Sequence, residues 1–402
     1  MLEGCPMPLA SPKKLAILGC TGSIGTQALD VCRHYPQAYE VVALAGGKNV
    51  DKLLEQIKEF SPPYVSVADD KTRQALKEAL SDAKISLPLE ILTTEAGGLE
   101  MLATLPELSD VLMGVVGILG LAPSLAALKA GKRLLTANKE TFVAGGHLVQ
   151  PYLSNILPFD SEHSALFQSL HDSPIQSVRK MWITASGGPF RGYSLEDLKQ
   201  VTKADALKHP NWVMGQKVTI DSASLMNKGL ELIEAKWLFG LNPSQIEVLV
   251  HPQSIVHGMV EYIDGSVMAQ LAPADMRIPI QVAMSWPDRW DGAYMKSHLN
   301  LSELSRLDFH PPDEAVFPCL RLARHAMEAG SRATTILNAC DEIAVQAFID
   351  ERLHFTEIPR LIERILEKSH HSLAGVDYPE LDELLDIDAW ARRESLAYLK
   401  LN

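Results

Sequence analysis

Asp160, Ser161 and Glu162, taken with Asn227, Lys228 and Glu231, bring three carboxylates and a cation into one chain. Oxygen ligands suit a hard divalent ion such as Mg²⁺, and three carboxylates offset its charge. Asn227 and Glu231 stand four apart in MNKGLELIEAKW, so a helix presents both on one side. Glu234 lies on the same stretch and is an alternative ligand to Glu231; spacing alone does not choose between them. Asp160 and Glu162 are separated by one residue at a strand-to-helix junction, where an extended backbone points both side chains the same way. An isolated Asp-Ser-Glu is usually a surface loop or a cap, so the weight rests on the combination. The chain also carries a glycine turn, GCTGSIG at 19–25, between the apolar run LAIL and an incipient helix. Such glycines permit close backbone approach, and the helix start offers amide donors to a pyrophosphate. A metal site beside a dinucleotide site implies reduction coupled to polarisation of an oxygen-rich substrate.

The stretch after the next strand discriminates between nicotinamide cofactors. An NAD site often places an acid there to accept from the ribose hydroxyls. Here the residues are Gly46, Gly47, Lys48 and Asn49, with no acid before Asp51. Lys48 and Asn49 suit the extra phosphate of NADP, so NADPH is the expected cofactor; the alternative for Lys48 is a solvated lysine. Asn138, Lys139 and Glu140 close the strand KRLLTAN, and open parallel sheets gather ligands at that edge. Lys139 either approaches the substrate or forms a salt bridge at a helix start. Ser186, Gly187 and Gly188 make a hydroxyl-glycine turn suited to phosphate, while Ser222 follows Asp221 in TIDSAS. The segment HPNWVMG at 209–215 sets a tryptophan and a methionine between proline and glycine. It could close over a substrate and exclude water, or be a loop pinned to a core by Trp212. His209 either bonds the substrate or is structural, and His163, His251 and His257 lack zinc-ligand spacing.

These groups need a scaffold of more than one core. The chain has 402 residues, 47% of them apolar, which suggests two or three domains. A net charge of -13 argues against nonspecific nucleic-acid or anionic-membrane partners, though a local positive pocket can still take a small phosphorylated ligand. The start, MLEGCPMPLASPKKLAILG, reads as neither a secretory signal nor a membrane span. Five cysteines without CxxC spacing argue against disulfides or structural zinc, and a reducing, cytoplasmic setting is expected.

The first 150 residues alternate strand-like runs (KKLAILG, EVVALAGG, PPYVSVADD, ISLPLEILTTE, DVLMGVVG, KRLLTAN) with helical ones, as in a parallel sheet covered on both faces. Val111 to Gly117 reads as a central buried strand. The middle region offers VRKMWITASGGPF, QKVTIDSAS, SQIEVLVHP, IVHGMVEYI and GSVMAQLA as strands, with EYIDGSVM as a hairpin. A crossover between Trp286 and Pro312 leads to helices at 313–329, 333–352, 357–369 and 379–399, the first capped by Gly330. The expected class is α/β: an N-terminal Rossmann-like nucleotide-binding domain at 12–159, a central α/β (α+β) catalytic domain at 160–290, a linker at 291–312 and a C-terminal helical bundle at 313–402.

GCTGSIG, AGGKN, TANKE, PFDSEHSALFQ, TASGGPFR, HPNWVMGQKVTIDSASLMNKGLELIEA, HPQSIVHGMVEY and ILNACDEIAV together resemble the 1-deoxy-D-xylulose 5-phosphate reductoisomerase family over nearly all the chain beyond the first dozen residues. The resemblance implies a homodimer that uses NADPH and Mg²⁺ or Mn²⁺ (Co²⁺ as a substitute) on a small phosphorylated sugar. By position, it implies metal ligation by Asp160, Glu162 and Glu231. Ser161, Ser186, His209, Ser222, Asn227 and Lys228 would hold substrate, Lys139 would be an essential active-site lysine, and Trp212 the indole of a mobile flap. Thr21, Gly22, Ser23, Ile24, Gly47, Lys48, Asn49, Asn138, Glu140 and Gly215 would contact the cofactor. The implied chemistry is retro-aldol cleavage, aldol rejoining and hydride reduction to a branched tetritol phosphate. Three departures stand out: Gly46-Gly47-Lys48-Asn49 for Ala-Gly-Lys-Asn, Ala274-Asp275-Met276-Arg277 for Pro-Asp-Met-Arg, and Cys340-Asp341-Glu342 for Ala-Asn-Glu. Two other readings compete: an NADP-dependent, metal-assisted dehydrogenase of a phosphorylated hydroxy acid or polyol, and a nucleotide-sensing protein without turnover.

Overall fold

A computed structural model describes residues 11–85, 89–295, 298–372 and 378–401. The chain divides into two compact units. The first runs to Asn138 and adds residues 152–164 and 275–297; the second takes 139–151, 165–274 and the chain from 298 onward.

The first unit is built on seven strands: β1 (Lys13–Leu18), β2 (Tyr39–Ala45), β3 (Tyr64–Val67), β4 (Glu90–Thr93), β5 (Asp110–Met113), β6 (Arg133–Thr136) and β7 (Ile156–Pro158). All pair in parallel, in the order β4-β3-β2-β1-β5-β6-β7. Leu15 to Leu18 and Val111 to Met113 are fully buried, which is why both read as unbroken apolar runs. The strand order reverses on either side of β1, and such a switch point opens a crevice at the carboxyl ends of the strands. The GCTGSIG turn stands there. Ser86 to Pro88 of the fourth expected strand lie outside the described residues.

The fifth strand is shorter than the expected Val111–Gly117: it ends at Met113. Gly114 still donates to Leu18, but the Asn138 side-chain amide takes the carbonyls of Val115 and Gly117 at 2.9 and 3.0 Å, and Val116 is exposed. A side chain replaces the strand ladder, and the uncharged run leaves the sheet as a loop.

The second unit contains a mixed sheet of β8 (Val178–Ala185), β9 (Ile246–Val250), β10 (Val256–Tyr262) and β11 (Val267–Leu271), ordered β11-β10-β8-β9. EYIDGSVM forms the expected antiparallel hairpin, with Gly265 at φ +87°. Helices Cys319–Ala329, Ser331–Ile349, Ile358–Ser372 and Leu381–Leu401 make the C-terminal helical region. The first begins six residues later than expected because Asp313 turns back to accept from the amides of Ala315 and Val316, and Pro318 caps the helix. Gly229 permits helix Met226–Phe239 to pack tightly, since a Cβ there would lie 2.5 Å from that of Ala323.

Two local expectations are corrected. QKVTIDSAS is the helix Gln216–Ser224, although its Val and Thr suggested a strand. Thr219, Ile220, Ala223 and Ser224 are buried at helical spacing, and Gly215 supplies the first carbonyl to Thr219. Asp160 and Glu162 are not on an extended segment either. β7 ends at Pro158, helix Ser161–Leu170 starts at once, and Glu162 lies in its first turn.

Candidate active site

In the first unit the glycine turn is shaped by contacts no side chain would permit. A Cβ on Gly19 would lie 2.5 Å from the Gly114 carbonyl oxygen, and one on Gly25 would lie 2.4 Å from the Gly19 carbonyl oxygen. Gly22 caps helix Ser23–His34, whose first turn contains no acidic side chain. Thr21, Gly22, Ser23 and Ile24 thus sit where amides and the helix dipole favour an anion. Gly47 has open space around its Cα, and Lys48 is exposed, with Asp69 3.7 Å from its ammonium group. Asn49 caps helix Val50–Phe60 by accepting from the Lys52 amide at 3.1 Å. A cradle of bare backbone with a lysine at its far end fits a phosphorylated dinucleotide.

Also in this unit, Asp160 and Glu162 share one helix start. The Asp160 carboxylate accepts from the Ser161 amide at 2.9 Å, and the Ser161 hydroxyl donates to Glu162 at 2.5 Å. The adjacent carboxylates therefore face the positive end of a helix.

In the second unit Glu231 is fully buried. Its Oε1 accepts from Lys139 at 2.9 Å and from the Asn227 amide at 2.6 Å, while Oε2 accepts from Lys228. Lys139 also donates to the Asn227 oxygen at 2.8 Å. The four-residue spacing thus does what the sequence implied, and Lys139 joins the pair from the start of helix Lys139–Val149. Glu234 is equally buried, but Glu231 is the one tied to Asn227, Lys228 and Lys139. A carboxylate held among ammonium groups away from water occupies a position that accepts cations, and its oxygen donors fit a hard divalent ion. Burial pushes the neighbouring Glu140 carboxyl upward, against the charges of Lys217 and Lys139.

The phosphate-type turn lies in the same unit. Gly187 and Gly188 have φ of +86° and +66°, and a Cβ on Gly188 would lie 2.7 Å from the Ser222 carbonyl oxygen, so only glycine brings the two serine segments this close. His209 Nε2 stands 3.0 Å from the Ser186 hydroxyl and 3.1 Å from that of Ser222. Its Nδ1 accepts from the Trp212 amide at 2.9 Å. An acceptor at Nδ1 places the neutral ring's proton on Nε2, aimed at the two hydroxyls. Three residues far apart in sequence thus form one polar cluster under the 209–215 segment, whose Val213 is almost fully exposed. Gly215 ends that segment and caps helix Gln216–Ser224.

Sequence reasoning missed a second buried cluster beside Ser222. Lys217 donates to Asp221 at 2.5 Å and to Asp341 at 2.7 Å, joining the helix that carries Ser222 to helix Ser331–Ile349. Asp341 belongs to the Cys340-Asp341-Glu342 run noted in the sequence as a departure from the pattern it resembles. A charged residue amid the apolar ILNACDEIAV was the available signal, because a buried acid needs a partner.

The whole chain can be compared with known proteins. Models of 1-deoxy-D-xylulose 5-phosphate reductoisomerase match residues 15–146, of its C-terminal domain residues 156–239, and of a further DXP reductoisomerase C-terminal domain residues 271–394. The reductoisomerase of Synechococcus sp. (strain JA-2-3B'a(2-13)) is 48% identical over 389 residues, covering 95% of this chain and 96% of the relative. That of Desulforamulus reducens is 48% identical over 387 residues, covering 95% and 98%. A crystal structure of DOX-P reductoisomerase with NADPH, fosmidomycin and magnesium superposes with a TM-score of 0.91 at 39% identity, covering 97% of this chain and 98% of the other. The Zymomonas mobilis enzyme with NADPH gives 0.87 at 37% identity, covering 97% and 99%. The chain belongs to the 1-deoxy-D-xylulose 5-phosphate reductoisomerase family.

Proposed function

We infer that the chain converts 1-deoxy-D-xylulose 5-phosphate to 2-C-methyl-D-erythritol 4-phosphate by retro-aldol cleavage, aldol rejoining and hydride transfer, in isoprenoid precursor biosynthesis. It is an NADP-dependent oxidoreductase that requires a divalent metal. The observation that carries this reading is the buried Glu231 bound by Lys139, Asn227 and Lys228, in a chain whose family relatives bind NADPH and magnesium. Asp160, Glu162 and Glu231 are the proposed ligands of Mg²⁺ or Mn²⁺. When bound, the ion polarises the substrate's oxygens and the dinucleotide supplies the hydride.

The remaining roles belong to side chains described above. Lys228, Asn227, Ser186, Ser222 and His209 would grip the substrate and its phosphate, His209 presenting its Nε2 proton between the two hydroxyls. Lys139 would orient Glu231 and offer an ammonium to developing negative charge. Ser161 would fix Glu162, and Trp212 would cover the bound sugar. Thr21, Gly22, Ser23, Ile24, Gly47, Lys48, Asn49, Asn138, Glu140 and Gly215 would receive the cofactor. The corresponding division of labour is cofactor binding by 12–159, catalysis by 160–290, and support by 313–402 across the 291–312 linker.

A homodimer is the proposed assembly. β11 is an edge strand whose Val267 and Met268 are more than half exposed, as is Ile263 in the hairpin turn that precedes it. An apolar edge left open invites strand pairing, here with a second copy. Cys20, Cys32, Cys319 and Cys340 are buried free thiols, which suits a reducing cytoplasm, while Cys5 lies outside the described residues. Among the described residues no helix is long and apolar enough to cross a membrane.

The decisive experiment is incubation with NADPH, Mg²⁺ and the substrate, followed by identification of the carbon skeleton. A branched tetritol phosphate is expected; a linear product would replace isomerisation with simple dehydrogenation. Cofactor choice has its own check. Lys48→Glu is expected to shift the kcat/KM preference from NADPH towards NADH by on the order of tenfold or more, since it exchanges a charge-assisted bond for repulsion. An unaltered ratio would remove Lys48 from the phosphate site.

A further inference from the structure

The 209–215 segment rests on a turn at 251–254. The Trp212 indole Nε1–H donates to the Ser254 hydroxyl at 3.1 Å, and the Asn211 amide donates to the Gln253 carbonyl at 3.4 Å. The indole also packs against His257, ring centroids 5.8 Å apart. Behind this surface the turn is braced. Ser254 N–H donates to the His251 carbonyl at 3.0 Å, and His251 N–H donates to the Ala185 carbonyl, at the end of β8, at 2.6 Å. His251 stacks on Phe309 at 4.7 Å with Nδ1 2.8 Å from the Asp308 carbonyl oxygen, and Gln253 donates to the Asp308 carboxylate at 2.7 Å. None of these bracing groups lies on the segment itself, so the turn presents a fixed surface to it.

Ser254 is the unusual residue of the turn. Its φ is +52°, in the left-handed region that glycine enters freely and serine does not. A glycine would make the same turn with less strain, yet the position carries a hydroxyl. Among the described residues, the one hydrogen bond of that hydroxyl comes from Trp212. Seating the indole also fixes the backbone that donates to His209 Nδ1, and His209 in turn faces Ser186 and Ser222. One contact thus links the position of the segment to the orientation of the polar cluster beneath it.

We propose that Ser254 is a positioning residue that latches the 209–215 flap through Trp212, holding His209 in register with Ser186 and Ser222. This rests on the reading of that segment as the cover of the sugar-phosphate site. Ser254→Gly separates a latch from a merely structural role, because it removes the hydroxyl while relaxing the backbone. The KM for deoxyxylulose phosphate should rise about fivefold, the range of one hydrogen bond, with kcat changing less than about twofold. The KM for NADPH should not change, and the thermal midpoint should stay within about 2 °C.

Hydrogen–deuterium exchange gives a readout independent of turnover. Amides at 209–215 should exchange faster in Ser254→Gly while those at 256–262 do not. In a Trp212→Phe background, where the donor is already gone, Ser254→Gly should add nothing to either readout. Unchanged exchange at 209–215, full additivity with Trp212→Phe, or a fall in thermal midpoint accompanied by loss of kcat would each overturn the latch. Absence of branched product from the unsubstituted protein would instead reject the functional reading, and exchange would still decide whether Ser254 holds the segment.

Discussion

Glu231→Gln is expected to lower kcat/KM by on the order of 10²–10³-fold, about 3–4 kcal/mol of transition-state stabilisation, while leaving the overall fold intact. The substitution changes little volume but removes the negative charge that the proposed ion would share. It also removes one acceptor: Glu231 offers Oε1 to Lys139 and Asn227 and Oε2 to Lys228, whereas an amide must turn its NH₂ towards one of these donors. The variant should therefore show weaker Mn²⁺ binding by calorimetry, by at least about tenfold, as well as slow turnover. Circular dichroism close to that of the unsubstituted protein would separate this loss from unfolding. Ordinary turnover under limiting Mg²⁺ would remove Glu231 from the ligand set and reopen the choice between it and Glu234.

The second large effect concerns stability. Lys217→Met should destabilise the protein by about 3–5 kcal/mol, because it leaves the buried Asp341 carboxylate without its cation. For a chain of this size a fall in thermal midpoint of roughly 4–6 °C is expected. The affected helix carries Ser222, so the KM for substrate should rise as well. Asp341→Asn added to Lys217→Met should recover part of the loss, since it deletes that uncompensated charge. Failure of that rescue would show that Lys217 acts through packing rather than charge.

The same cluster fixes a pH dependence. Burial, followed by the charge of Asp341, holds the Asp221 carboxyl well above its ordinary range, with Lys217 pulling the other way. The Lys217 ammonium is held well above its own ordinary value: burial opposes this, but the acidic groups gathered around it, Asp341 among them, outweigh it. A raised carboxyl means that the folded chain keeps a proton which the unfolded chain gives up near pH 4. Its stabilising contribution is then complete below that pH and diminishes as pH rises towards the folded-state value. Asp341→Asn removes the repulsion from its neighbour, so the thermal midpoint of the variant relative to the unsubstituted protein should climb between pH 4 and pH 8. A difference that is flat or falls over that window would contradict the charge assignment. The lysine's contribution, present below its unfolded value and lost only above it, does not change sign within this window.

Much of the site was legible because it is local. Asn227 and Glu231 lie one helical turn apart, and a regular helix makes them neighbours whatever surrounds it. GCTGSIG is legible for the same reason: glycines at 19, 22 and 25 between a buried run and a helix describe a turn whose geometry follows from sterics. The parallel sheet follows from apolar runs separated by helical stretches. Local pattern failed where two periodicities compete over few residues. QKVTIDSAS carries β-branched residues, yet the buried face selects a helix, and Val111–Gly117 leaves its sheet at Met113 because Asn138 captures the following carbonyls. Only the tertiary structure brought Lys139 to Glu231 across 92 residues, tied Lys217 to Asp341 across 124, and set Trp212 on Ser254 across 42. A sequence specifies periodicity, turn chemistry and donor type, whereas long-range partners are chosen when burial forces each charged or polar group to find one that folding has carried within reach.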